Sequence, residues 1–154
     1  MKSTILSLFL LFSLFNSYAQ VKPKTVIKPE TQPIVYQSYW GPVKSGVVSA
    51  SQIKATAQAP ILVRDNNKDV YEVIGFRISY VFKGSAKDEQ SGEIKSVNDL
   101  RVSDFNNTNT LPAQWFESIR DNVKEGDQII FSKIIFKNSF GKRFLAPEIR
   151  ITVH

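Results

Sequence analysis

The sequence predicts a mainly β domain: an antiparallel β-sandwich, immunoglobulin-like or closed into a small barrel, with one α-helix packed on it. Three observations carry this expectation. Short runs of alternating apolar and polar residues recur from Ile61 to Val153, separated by turn residues. Only the stretch after Pro112 shows a clear helical stripe. The 154 residues include no cysteine, so the fold must be held by its core, without disulfides or thiolate metal sites.

The chain opens with Lys2, an apolar run from Ile5 to Phe15, and the small residues Ser17 and Ala19 around Tyr18. That order is a secretory leader. The run is about 11 residues long, against the roughly 20 that a spanning helix needs. Cleavage is expected after Ala19, giving a mature chain that starts at Gln20 and keeps no transmembrane anchor. A lipid-anchored exported protein would need a cysteine at the cut, and there is none. Residues 20–38 read as a tether, because Pro23, Pro29 and Pro33 lie among lysines and threonines and proline cannot donate a ladder hydrogen bond. Ile34, Val35 and Tyr36 have the composition to open an edge strand. The folded domain is expected over 39–154.

Within it, Tyr39 and Trp40 precede a turn-rich corner, Gly41-Pro42 to Gly46. Ser49 offers a cap and the alanines after it suit a short helix. Ile61–Arg64 reads as a strand and Asp65–Asp69 as the turn after it. Val70–Lys83 is the strongest strand signal. Val70, Ile74, Phe76, Ile78, Tyr80 and Phe82 share one face and Arg77, Ser79 and Lys83 the other, with Gly75 marking a bulge. A polar loop 84–92 leads to weaker strands at 93–97 and 100–103. Trp115, Phe116, Ile119 and Val123 form the helical stripe, ended by Gly126. Gln128–Lys137 and Arg143–Val153 make a last hairpin around Asn138–Lys142.

The chemistry available is narrow. The formal charge is +6, and removal of Lys2 with the leader leaves +5. The basic residues alternate with apolar ones instead of gathering on one face, which speaks against nucleic acid as a partner. The single histidine is the terminal His154. Asp65, Asp69, Asp88, Glu89 and Asp127 are the carboxylates a hydrolase would have to pair, and they fall mostly at turns, where they cap backbone groups. Asp65, Asn67 and Asp69 match the opening of a calcium loop, but its glycine position is Val70 and its bidentate carboxylate position is Phe76. Asn106-Asn107-Thr108 fits a glycosylation sequon without other support. No enzyme, cofactor or metal is therefore expected. Trp40 and Phe140 are the aromatics that no periodic apolar face claims, and Lys44, Lys142 and Arg143 lie beside them, so these five residues are the candidates for a partner-binding surface.

Four segments are familiar in this order: GPVKSG at 41–46, VYEVIGFRISYVFKG at 70–84, LPAQWFESIRDNVKEGDQIIF at 111–131 and GKRFLAPEIRITV at 141–153. Together they resemble the C-terminal domain of the gliding-motility protein GldM, called PorM in type IX secretion. The resemblance implies a periplasmic β-sandwich module that contacts ring proteins under the outer membrane. The shaft and inner-membrane helix of that family have no counterpart in this sequence, so a motor role does not follow, and no individual binding residue transfers. The expected function is a periplasmic protein–protein interaction module, an accessory or adaptor related to gliding motility and type IX secretion. The alternative is a secreted or surface carbohydrate-binding module with Trp40 and other exposed aromatics stacking on sugar rings. Either way the protein is expected to be exported, to the periplasm, the outer membrane or the medium. The intact mass of the exported protein is expected to correspond to a chain beginning at Gln20; a full-length, membrane-retained product would overturn the leader.

Overall fold

The long alternation at 70–83 becomes the strand on which the domain is built. The computed structural model describes residues Pro33–His154; the expected leader, the cut between Ala19 and Gln20, and residues 20–32 of the tether lie outside the described residues. The elements run β1 (Tyr36–Trp40), β2 (Gly46–Val48), α1 (Ala50–Thr56), β3 (Ile61–Asp65), β4 (Val70–Lys87), β5 (Ile94–Asn106), α2 (Ala113–Asn122), β6 (Gln128–Lys137), β7 (Arg143–Leu145) and β8 (Ile149–Val153). Strands bond in the order β1-β3-β4-β6-β8-β2, with β5 also on β4 and β7 also on β6. The fold is mainly β, in a curled sheet of sandwich character.

Two features correct the expected layout. The sheet is mixed, because β2 runs parallel to β8 with Val47 beside Thr152. β2 precedes β8 by nearly the whole domain in sequence, so no tight hairpin forces the antiparallel sense. The short helix expected after Ser49 also forms and packs on the core, so two helices, not one, are packed on the sheet. Ser49 caps α1 by accepting from the Gln52 N–H (3.3 Å), and Ile53 is fully buried under it.

β4 and β6 bend together. Their register shifts between Val73 and Gly75 and again between Gly75 and Arg77. The first shift is the bulge that Gly75 announces, and a Cβ there would stand 2.8 Å from the Phe105 carbonyl oxygen of β5. It also inverts the buried face. Phe76, Ile78 and Tyr80 point inward, but before the bulge Val73 is buried while Val70 is 58% exposed, so Val70 and Ile74 do not share the face assigned to them. The second shift lies in β6 at Lys133, a non-glycine residue with φ 49°. Ile129 and Phe131 are buried before it, Ile134 and Phe136 after it. The run 143–153 is one ladder on β6, pairing Ile135 with Leu145 and Phe131 with Ile149, broken where Pro147 falls across from Lys133.

β5 is a single strand through Asn98 and Asp99, where composition suggests two, because β4 supplies a continuous template from Gly75 to Lys87. The polar loop shrinks to 88–93 accordingly. At the other end, the sheet begins at Tyr36, so residues 36–38 belong to β1 and not to the tether. The Tyr36 ring lies 4.7 Å from that of Phe136, and the buried Ser38 donates its hydroxyl to the Pro147 carbonyl (2.6 Å).

Trp40 is fully buried, with its ring 5.0 Å from Phe131 and its backbone paired both ways with Val43. Along α2 the expected stripe holds: Ile119 and Val123 are buried, Trp115 and Phe116 half-buried, and Trp115 stands edge-on to Phe105 at 6.2 Å. The helix ends at Asn122, four residues before Gly126. The turn that follows is held by the fully buried Asp127, which accepts from the Tyr80 hydroxyl (2.7 Å) and the N–H groups of Lys124 (3.1 Å) and Lys83 (3.3 Å). Burial, then the bond to Asp127, raises the Tyr80 phenol well above its ordinary range. Replacing Trp40 with Ala is expected to cost about 3–5 kcal/mol, as truncation of a buried large aromatic does. A urea midpoint that stays put would show that Trp40 does not carry the core.

Candidate functional site

The most exposed large apolar side chain among the described residues is at a turn between two strands. Asn138 builds this turn: its side-chain oxygen accepts from the N–H of Phe140 (3.1 Å) and of Lys142 (3.0 Å), and its own N–H donates to the Lys142 carbonyl (3.0 Å). Gly141 takes φ 75°, the left-handed conformation that closes the loop. Phe140 is thereby held at the tip, 90% exposed. The turn is fixed by four hydrogen bonds made by Asn138, the fourth from the Gly141 N–H to its carbonyl, so the ring is displayed on a defined turn and not on a loose loop.

Below the tip, Phe144 stacks on Phe136 at 5.5 Å and 23°, which anchors β7 to the core. The Lys142 ammonium lies 5.3 Å from the centre of the Phe144 ring, in the range of a cation–π contact. On the other face Leu145 is 70% exposed and pairs with Ile135. Ile135, Arg143, Phe144 and Leu145 line a shallow apolar groove there. The hairpin therefore presents an exposed aromatic at its tip next to two cations, with the exposed Leu145 on the other face of β7, which is the chemistry of an interface anchor with a basic rim.

Of the five residues singled out in the sequence, Phe140, Lys142 and Arg143 come together on this hairpin. Lys44 does not join them. It is exposed beside the start of β8, where its neighbour Ser45 accepts from the Arg150 N–H (3.0 Å). Trp40 is corrected outright: the alternation of β1 turns Ser38 and Trp40 inward together, so Trp40 is core and cannot stack on a sugar ring. Sequence reasoning missed Leu145, which is hidden in an apolar run that reads as core until Pro147 breaks it.

The Asp65 turn has a structural use. Asp65 is buried and accepts from the N–H of Asn67 (2.8 Å) and of Asp69 (2.9 Å) with one oxygen and from the Tyr71 hydroxyl (2.9 Å) with the other. Both oxygens are thus occupied, leaving no open cradle for a cation. Burial by itself would raise this carboxyl, but the Tyr71 hydroxyl and the backbone donors outweigh it and hold it below the ordinary value. The same bond pushes the Tyr71 phenol up to about 12. Among the described residues no group of three His, Cys, Asp or Glu side chains is placed to hold a metal.

No protein-family model matches the chain, and no curated protein matches it.

Because the Asp65 pKa is depressed in the folded state, its stabilisation is fully present above the unfolded value of about 3.9 and is lost as pH falls through the folded one. Asp65→Ala is accordingly expected to lower the urea midpoint at pH 7. The gap to the parent protein is expected to hold down to about pH 4 and to narrow below it. A gap that stays constant down to pH 2 would show that the ionised carboxylate is not what the turn depends on.

Proposed function

We propose that this protein is an exported interaction module that docks on another cell-envelope protein through the β6–β7 hairpin. The observation that carries the reading is Phe140, 90% exposed on a turn pinned by Asn138, with the cations Lys142 and Arg143 next to it in the same hairpin and the exposed Leu145 further along β7. A large aromatic fixed in place loses little conformational freedom on binding, so it yields more affinity than a mobile one. The cations favour an acidic partner surface and speed the encounter. The leader-like N-terminus supports export, and the GldM-like segments point to ring proteins under the outer membrane as partners, in gliding motility or type IX secretion. Trp40, being buried, lends no support to the carbohydrate reading.

Surface plasmon resonance of the purified protein against periplasmic ring components tests this directly. Binding is expected without added metal or cofactor. Phe140→Ala is expected to weaken it about thirtyfold or more, the effect of losing a central aromatic anchor. Lys142→Ala with Arg143→Ala should slow association and flatten the salt dependence, since exposed charges more than about 10 Å apart are screened at 0.1 M salt. Absence of binding at micromolar concentrations, or binding indifferent to Phe140→Ala, would overturn the proposal.

A further inference from the structure

The free edge of β5 carries information that the hairpin site does not use. β5 pairs with β4 along its whole length and, among the described residues, with no strand on its other side. Its outward-facing backbone can be identified from two hydrogen bonds. Lys83 donates its N–H to Asp127, on the β6 side of β4. Odd-numbered residues of β4 at this level therefore turn their backbone groups toward β6, and even-numbered ones toward β5. Tyr80 stands opposite Arg101 and Phe82 opposite Asp99. So the odd-numbered residues of β5 bond to β4, and the even-numbered ones, from Ile94 to Asn106, point N–H and C=O at the free edge. Leu100 agrees: its N–H has turned to the side chain of Asp99 at 2.7 Å.

The side chains along this edge are also unusual for one left in water. Leu100 is 57%, Val102 47%, Ile94 76% and Val97 40% exposed. Asp99 and Arg101 lie on one face of the strand, and among the described residues neither is in an ion pair. Arg101 donates instead to the Ser118 hydroxyl (3.0 Å) and lies over the Phe82 ring. A long edge strand with exposed apolar side chains is a template for another strand.

We infer that β5 is the edge through which two copies of this chain pair, antiparallel about a two-fold axis at Leu100. Hydrogen bonding requires even-numbered residues to oppose even-numbered ones, which limits the possible centres. Centring on Asp99 sets that carboxylate against its own copy, and centring on Arg101 does the same to the guanidinium. Centring on Leu100 places each Asp99 opposite the other chain's Arg101, twice, at the closely spaced non-hydrogen-bonded positions. Leu100 then meets Leu100, Val97 meets Ser103 and Val102 meets Asn98. The Leu100 N–H passes from Asp99 to the facing strand, which frees Asp99 for the arginine. In this register α2, which touches β5 at Arg101 and Phe105, lies alongside the half of the copy's strand that its own α2 does not touch. The β6–β7 hairpin, on the other side of β4, stays free.

Sedimentation velocity of the purified protein up to about 1 mM, the weak end of specific association, tests the pairing. The parent protein is expected to show a monomer–dimer equilibrium. Asp99→Arg alone and Arg101→Asp alone are each expected to raise the dissociation constant about tenfold, since two attractive pairs become repulsive. An equimolar mixture of the two variants should restore dimers, because each chain then offers what the other lacks; this rescue also shows that both variants are folded. A parent protein that remains monomeric at 1 mM would overturn the inference. So would dimers that neither single variant weakens, or variants whose mixture associates no better than either alone.

Discussion

One strand has to serve two differently directed parts of the sheet, and the rest of the domain follows from how it does so. The start of β4 pairs with β3, while its middle and end pair with β5 and β6. A straight, regular strand would keep one face inward throughout and would leave β1 and β3 nothing to cover. The extra residue at the Gly75 bulge bends β4 and swaps its faces, and the residue at Lys133 does the same to β6, so the two remain paired through the turn. The inside of that bend holds Phe131 against both Phe76 and Trp40. β1 closes over them, and the helices close the remaining side with Ile53 and Ile119.

How much of this the sequence disclosed depended on whether the signal was local. Gly75 revealed its bulge because glycine in a strong alternation has few other uses. Lys133 did not, because a lysine between apolar neighbours is equally consistent with an ordinary solvent-facing position, and the left-handed backbone leaves no mark in composition. The α2 stripe was readable because helical periodicity spans several turns. β1 was not, since five residues following three prolines give too short a pattern to show that Ser38 and Trp40 share a face. The parallel pairing of β2 with β8 joins segments about a hundred residues apart, which no local pattern encodes.

The binding surface was legible to the same extent. Phe140, Lys142 and Arg143 could be grouped because a five-residue hairpin connection keeps its members together whatever surrounds it. Lys44 and Trp40 were grouped with them only by residue type, and tertiary packing sent one to the start of β8 and the other into the core. Leu145 shows the reverse failure: its run looked buried, and only the break at Pro147 leaves its side of β7 uncovered.

The paired bulges also constrain how this chain can change over generations. Deleting one residue from β4 near Gly75 would turn every side chain on one flank of the deletion to the opposite layer, burying lysines and exposing valines. Deleting one near Lys133 would do the same to β6. Losing both at once would keep the faces aligned but straighten the sheet, and β1 would no longer reach the core. Descendants of this sequence can therefore vary freely in the lengths of their loops, while the distance from Val73 to Arg77 and that from Ser132 to Phe136 must be inherited as a matched set.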